Sequence, residues 1–189
     1  MAHEAPTPLS EIRERIDEAE TRGRSLVDGL DEAELIWQPA PGRWSIAHCL
    51  EHLNLTGTFY LETMEAAIAE APRCSDGPVA SKPGWFERKF LQSIAPHSRF
   101  RGPAPKKIVP RLDGSPSAVA ETFFALQERF RRALEAASEV DVNRTKFRSP
   151  LVKILKLRLG VGFQLNALHQ LRHLLQAERV KGEDTFPGA

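Results

Sequence analysis

Hydrophobic residues recur every three or four positions in four stretches of the chain, the spacing that places side chains on one face of an α-helix. This pattern predicts helices from about Leu9 to Leu30, from Ser45 to Ala71, over 116–138 and from Gly162 to Val180. No stretch alternates convincingly between apolar and polar residues, so no strand is predicted. Four main helices with apolar faces indicate an all-α fold, a four-helix bundle.

Prolines interrupt the pattern between the second and third predicted helices. Residues 71–116 contain eight of the 14 prolines of the chain, a density that excludes a long regular element. Within this segment, Trp85–Ile94 fits a short helix because its apolar residues suit one face. The connection at 140–161 is basic but contains several apolar residues, which predict a further short packed helix there.

Length and composition favour one globular unit. The chain has 189 residues, of which 41% are hydrophobic and 27% charged, values that exclude a disordered protein. We expect a single domain over residues 1–189, with a bundle core at about 8–180 and an irregular insertion at about 72–116. Cys49 and Cys74 are too few for a disulfide framework. No apolar run is long enough for a membrane span and no secretion signal is visible, so we expect a cytoplasmic protein.

Charge is unevenly distributed although the net charge is only +1. Residues 1–70 carry 14 acidic and five basic side chains, whereas 71–116 carry nine basic and three acidic ones, and 141–160 six basic and one acidic. The net charge gives no reason to expect nucleic acid or membrane as a partner, and the aromatic and basic residues at 85–90 fit a short helix better than a nucleic-acid contact. The two basic segments are either solvated loops or the rim of a pocket for an anionic ligand.

Two histidine pairs have the spacing i, i+4, which places both imidazoles of a pair on one helical face. They are His48 with His52 on the second predicted helix and His169 with His173 on the fourth, where Gln176 continues the stripe. Taken singly, each histidine fits a partly buried, hydrogen-bonded side chain. Taken together on two helices of one bundle, they indicate a metal site, because facing helices are where bundles build such sites.

Two motifs resemble those of DinB-like (DinB/YfiT) proteins. The segment GRWSIAHCLEHL at 42–53 resembles the start of the second helix of that family, and LHQLRHLLQAERV at 168–180 resembles its last helix. The resemblance implies a four-helix bundle, often dimeric, with a divalent metal such as Zn, Ni, Fe or Mn on three histidines. Carried over by motif, the ligands are His52, His169 and His173. His48 is not a usual ligand position, and it is either a supporting group behind the ligands, a proton shuttle or a fourth ligand.

Characterised relatives include isomerases and transferases that use low-molecular-weight thiols such as mycothiol or bacillithiol. The resemblance therefore implies a metal-dependent enzyme. We expect a thiol-dependent transferase or a hydrolase that acts on a small anionic molecule, with His48, the only candidate near the three histidines, as the general base. The alternative is a metal- or ligand-binding bundle without catalysis. We expect a small-molecule substrate, a thiol cosubstrate and a homodimer, with residues 72–116 at the mouth of the site. We also expect metal affinity to fall below about pH 6, because imidazole has an ordinary pKa near ~6.5.

Overall fold

The computed structural model of the protein describes residues 6–74, 80–99, 104–152 and 154–188. Within these ranges the chain is predominantly helical, which confirms the predicted fold class. The helices are α1 (Leu9–Val27), α2 (Glu32–Ile36), α3 (Ile46–Glu70), α4 (Trp85–Ile94), α5 (Pro116–Ala137) and α6 (Leu159–Lys181). A 3₁₀ turn covers Lys106–Ile108. In the described ranges, no helix combines the length and apolar character that a membrane crossing requires.

Polar capping residues set the limits of the central helices. Ser45 caps α3 by accepting a hydrogen bond from the backbone N–H of His48, and Ser115 caps α5 by accepting one from Ala118. Pro116 is the first residue of α5, a position whose backbone N–H would have no partner within the helix, so proline loses no hydrogen bond there. Both helices start and stop within one residue of the predicted limits, because the sequence signals for their ends are local.

The outer helices differ more from prediction. α1 ends at Val27, short of the predicted Leu30, because Gly29 adopts a φ of +73° and reverses the chain. α6 begins at Leu159 rather than Gly162, since a short strand runs directly into it. The unpredicted α2 has only five residues. It is stabilised by a capping box in which the side chains of Asp31 and Glu34 each accept a hydrogen bond from the backbone N–H of the other residue. The D-x-x-E spacing was the available signal for it.

Short strands form where none was predicted. β1 (Thr7–Pro8) pairs antiparallel with β2 (Ala80–Ser81), and β3 (Lys146–Arg148) pairs antiparallel with β4 (Lys156–Arg158). The prediction of a short helix within 140–161 was therefore wrong. Phe147 and Leu157 face each other and are buried, while charged residues flank them on both sides. Three residues per strand give too few alternations for the period to be recognised.

The four long helices pack around one another, with α3 against α5 and α6, and α1 against the same two helices. Large apolar side chains such as Phe123, Phe130 and Phe163 are fully buried between them. Gly57 on α3 allows a close approach, because a Cβ atom there would lie 2.6 Å from the Leu126 side chain of α5. α4 packs on α6, so the insertion lies against the helix that carries the second histidine pair.

Candidate metal centre

Three histidines from two helices meet at one point. His52 projects from α3, and His169 and His173 project from the neighbouring face of α6. Each offers a ring nitrogen, and these nitrogens all lie within 4.8 Å of one another. The ring centroids are 4.6–5.1 Å apart. The structure thus brings together the three residues that the motif resemblance implies as ligands.

Hydrogen bonds fix the orientation of two of the rings. Nδ1 of His52 donates to the backbone carbonyl of Ile108 at 2.7 Å, and Nδ1 of His173 donates to Oε1 of Gln176 at 3.0 Å. A neutral imidazole that donates from Nδ1 keeps an unprotonated Nε2, the form that binds metal ions. The supporting groups therefore set both tautomers for coordination.

His52 is buried and His169 and His173 are half-buried, and this loss of contact with water favours the neutral form of all three imidazoles. Burial lowers the pKa of His52, although the Ile108 carbonyl acts in the opposite direction. Burial, together with the charge that His52 would carry, lowers the pKa of His173 to about 3. Burial, followed by the neighbouring charges on His173 and His52, holds the pKa of His169 well below its ordinary value. At neutral pH all three are uncharged bases, which is the state in which histidine coordinates a cation.

The donor set fits a first-row divalent metal ion. Two nitrogen ligands at about 2.0–2.1 Å from a tetrahedral zinc ion lie about 3.3–3.4 Å from each other. The Nε2 atoms of His52 and His169 are 3.3 Å apart. Imidazole ligands suit zinc, copper, iron and nickel, whereas magnesium and calcium prefer oxygen ligands. Three histidine ligands would leave at least one coordination position open, as in catalytic rather than structural sites.

Trp44 forms one wall of the centre. Its ring centroid lies 4.9 Å from that of His52 and 5.7 Å from that of His173. It directly precedes Ser45, the N-cap residue of α3. In the sequence, Trp44 stands out only as part of a motif, since its proximity to α6 depends on how the helices pack.

His48 lies outside the three-histidine group. It is the third residue of α3, and its Nδ1 accepts hydrogen bonds from Ser45, at 2.7 Å from Oγ and 3.4 Å from the backbone N–H. Ser45 Oγ accepts from the backbone N–H of His48 in return, so the two residues form a capping box. Among the described residues that line the cavity next to the centre, His48 does not appear. Its predicted roles as ligand, shuttle or general base stay predictions.

A cavity of about 710 Å³ opens beside the three rings. The insertion contributes much of its wall, with Ser93, Ile94, Pro96, Ser98, Ala104, Pro105 and Ile108. This confirms, for the described part of the insertion, that it borders the mouth of the site. The volume is in the range of small-molecule sites.

The cationic residues of the cavity were not the predicted ones. In the described part of the chain, Arg43, Arg172 and Arg179 line the cavity together with one acidic residue, Glu183. Arg43 precedes α3, and the other two belong to α6. None of the described lysines or arginines of 72–116 or 141–160 is among the lining residues. The described basic residues of the two segments that we considered as a rim therefore supply none of this charge.

The sequence profile of the DinB superfamily matches residues 15–177. The chain belongs to the DinB superfamily. The match includes α3, which carries His52, and most of α6, which carries His169 and His173. Searches of curated proteins and of solved structures each gave no significant match.

Proposed function

We propose that this DinB superfamily protein is a metal-dependent enzyme that acts on a small anionic molecule, with transfer of a low-molecular-weight thiol ahead of hydrolysis. The observation that carries the proposal is the convergence of three neutral imidazoles in the wall of a cavity whose described lining holds three arginines and one acid. A catalytic centre needs both features, a site for the reactive group and a space that selects its substrate.

A divalent cation on the three histidines would act as a Lewis acid and would favour a thiolate or hydroxide over its protonated form near neutral pH. The protein's own groups prepare the site for this. The Ile108 carbonyl and Gln176 hold the tautomers of His52 and His173. The indole of Trp44 packs against the rings of His52 and His173. The cavity arginines attract an anion.

The protein does not supply an evident nucleophilic sulfur. Cys49 is fully buried in the core, and burial raises the pKa of its thiol to about 12. A thiol with such a pKa is inert at neutral pH, because the thiolate is the nucleophile. Cys74 is absent from the described cavity lining. These observations support a thiol that arrives as a cosubstrate.

A second candidate function is a bundle that binds a metal or a ligand without catalysis. It is favoured by the lack of an acidic residue in the three-histidine group and by Glu183 being the one acid among the described lining residues. Hydrolytic metal sites normally have a carboxylate or another base within hydrogen-bond reach of the reacting proton. His48 is the proposed base on the enzymatic hypothesis, and its nearest described partner is Ser45.

The test is elemental analysis of purified protein followed by turnover assays on metal-loaded protein. We expect about one divalent ion per chain, and thiol conjugation of an anionic electrophile that is lost on chelation and restored by the metal. The His173→Ala variant, which lacks one ligand, is the matched control. Full metal loading with neither thiol conjugation nor ester or amide hydrolysis would favour the non-catalytic bundle.

A further inference from the structure

Arg172 joins the metal centre to the insertion. It lies on α6 directly before His173 and three residues after His169, and it lines the same cavity. Its Nη1 donates to the carbonyl of Ser93 at 2.9 Å, in the last turn of α4. Helix C-termini carry partial negative charge, so this contact holds the guanidinium in place.

The charge of Arg172 reaches the imidazoles. Its positive charge contributes to the low pKa values of both His169 and His173, although burial is the larger cause for each. Arg172 and the three imidazoles line the same cavity, so one small ligand in that cavity can contact both. The planar fork of N–H donors on a guanidinium matches the two oxygens of a carboxylate.

Arg172 differs from the other two cavity arginines in its surroundings. Arg172 is half-buried, whereas Arg43 and Arg179 are exposed. A charge pair is stronger where less water screens it, and a tethered side chain loses less entropy when a ligand binds. Of the three, Arg172 is the one whose position and surroundings suit selective binding rather than general attraction.

We propose that Arg172 determines ligand specificity by selecting molecules with two functional groups, a metal-binding donor that faces the three imidazoles and a carboxylate that pairs with the guanidinium. The class of ligand is a small thiol that bears a carboxylate. This inference rests on the proposed function, because it requires a metal ion on the three histidines. It adds the second point of attachment and the residue that provides it.

The test compares two thiols of equal length on cobalt(II)-loaded protein, 3-mercaptopropionate and the neutral 3-mercaptopropan-1-ol. Absorption from sulfur-to-cobalt charge transfer reports binding of each thiol directly, without an activity assay. We expect wild-type protein to bind the carboxylate about tenfold more tightly or better, as a charge-assisted hydrogen bond in a shielded site provides. Arg172→Gln should reduce the preference to about twofold or less, and Arg172→Lys should keep part of it because it retains the charge.

Arg179→Gln is the matched control, since it removes an exposed arginine from the same helix and cavity, and it should change the preference by less than about threefold. Cobalt content and helical circular dichroism establish that each variant is loaded and folded, and Arg172→Lys provides the answer if the glutamine variant does not fold. Equal affinity of wild-type protein for the two thiols, or an unchanged preference in the Arg172 variants, overturns the inference alone. Failure of wild-type protein to bind cobalt overturns the proposed function as well.

Discussion

The two histidine pairs have the same spacing in the sequence but different roles in the structure. On α6, His169 and His173 both enter the three-histidine group, whereas on α3 only His52 does. His48, one turn earlier, forms a capping box with Ser45 instead. An i, i+4 pair is therefore only a candidate for joint action, and the position of the pair along its helix decides what each member does.

The physical reason is the demand for hydrogen-bond acceptors at a helix start. The first backbone N–H groups of α3 have no partner within the helix, and a side chain at the third position is well placed to accept from the N-cap residue. His48 occupies that position, so its Nδ1 lies with the Ser45 N–H and hydroxyl. His169 and His173 lie in the interior of α6, where the backbone groups are already paired. Their rings are free to serve the site.

The largest expected effect is the loss of metal on removal of a ligand. His169→Ala should lower divalent metal affinity by at least about a thousandfold, because one of three protein bonds to the ion is lost. His48→Ala should leave metal content unchanged, since this ring lies outside the group. Titration of metal-free protein with zinc or cobalt measures both. Equal metal loss in the two variants would mean that the two pairs act alike after all.

A second effect is the dependence of stability on pH that the three site histidines cause. The folded-state pKa values of His52, His169 and His173 are lowered, so the unfolded state binds protons first as the pH falls below about 6.5. The protein is most stable above that pH, where the rings are neutral in both states. As the pH falls from there toward the folded-state pKa, which is about 3 for His173, the stability is lost progressively. The free energy of unfolding of metal-free protein should drop by up to about 1.4 kcal/mol per pH unit for each of these rings.

Denaturant titrations of metal-free protein between pH 7 and pH 5 measure this slope. His173→Leu should flatten it, because the leucine side chain takes up no proton. The same shifts revise the expectation from sequence that metal affinity falls below about pH 6. With the folded-state pKa values lowered, proton competition for the folded site begins at a lower pH. Metal release that begins at pH 6 would contradict the described burial of the rings.

A third effect concerns the group that orients His173. Gln176→Leu removes the acceptor of its Nδ1–H, and we expect a 10–100-fold loss of metal affinity, the usual range for such supporting groups. Gln176→Glu is the matched control, because it keeps an acceptor at the same place and should retain most of the affinity. If the leucine variant binds metal as tightly as wild-type protein, the hydrogen bond has no part in preparing the ring.

The sequence was informative where a feature depends on neighbours along the chain. Ser45 and Ser115 marked the starts of α3 and α5, and the spacing of the histidines indicated a metal site, because caps and helical faces are local. Trp44 and Arg172 were not predicted as site residues, since their positions depend on contacts of α6 with the α3 start and with α4. The β3–β4 pair was missed because each strand has only three residues.

The smallest expected effect, and the one that decides the role of His48, is on stability. His48→Ala removes the acceptor for the Ser45 N–H and hydroxyl and should lower the free energy of unfolding by about 1 kcal/mol. His48→Gln should restore most of this loss, because glutamine is a favoured residue at that position of a capping box. Denaturant titrations measure both variants, and equal stability of alanine and glutamine would argue against the cap.

The same two variants separate the cap from the proposed general base. Glutamine can accept from Ser45 but cannot take up a proton near neutral pH. If His48 is the general base, both variants should lower turnover by about 100-fold or more with metal content intact. If its role is the cap alone, the glutamine variant should keep wild-type turnover, and only the alanine variant should lose activity, to the extent that loosening the start of α3 disturbs Trp44 beside the rings. Loss of turnover in both variants would thus make the two members of the α3 pair partners in one site. Loss of turnover in the alanine variant alone would confine the chemistry to His52, His169 and His173.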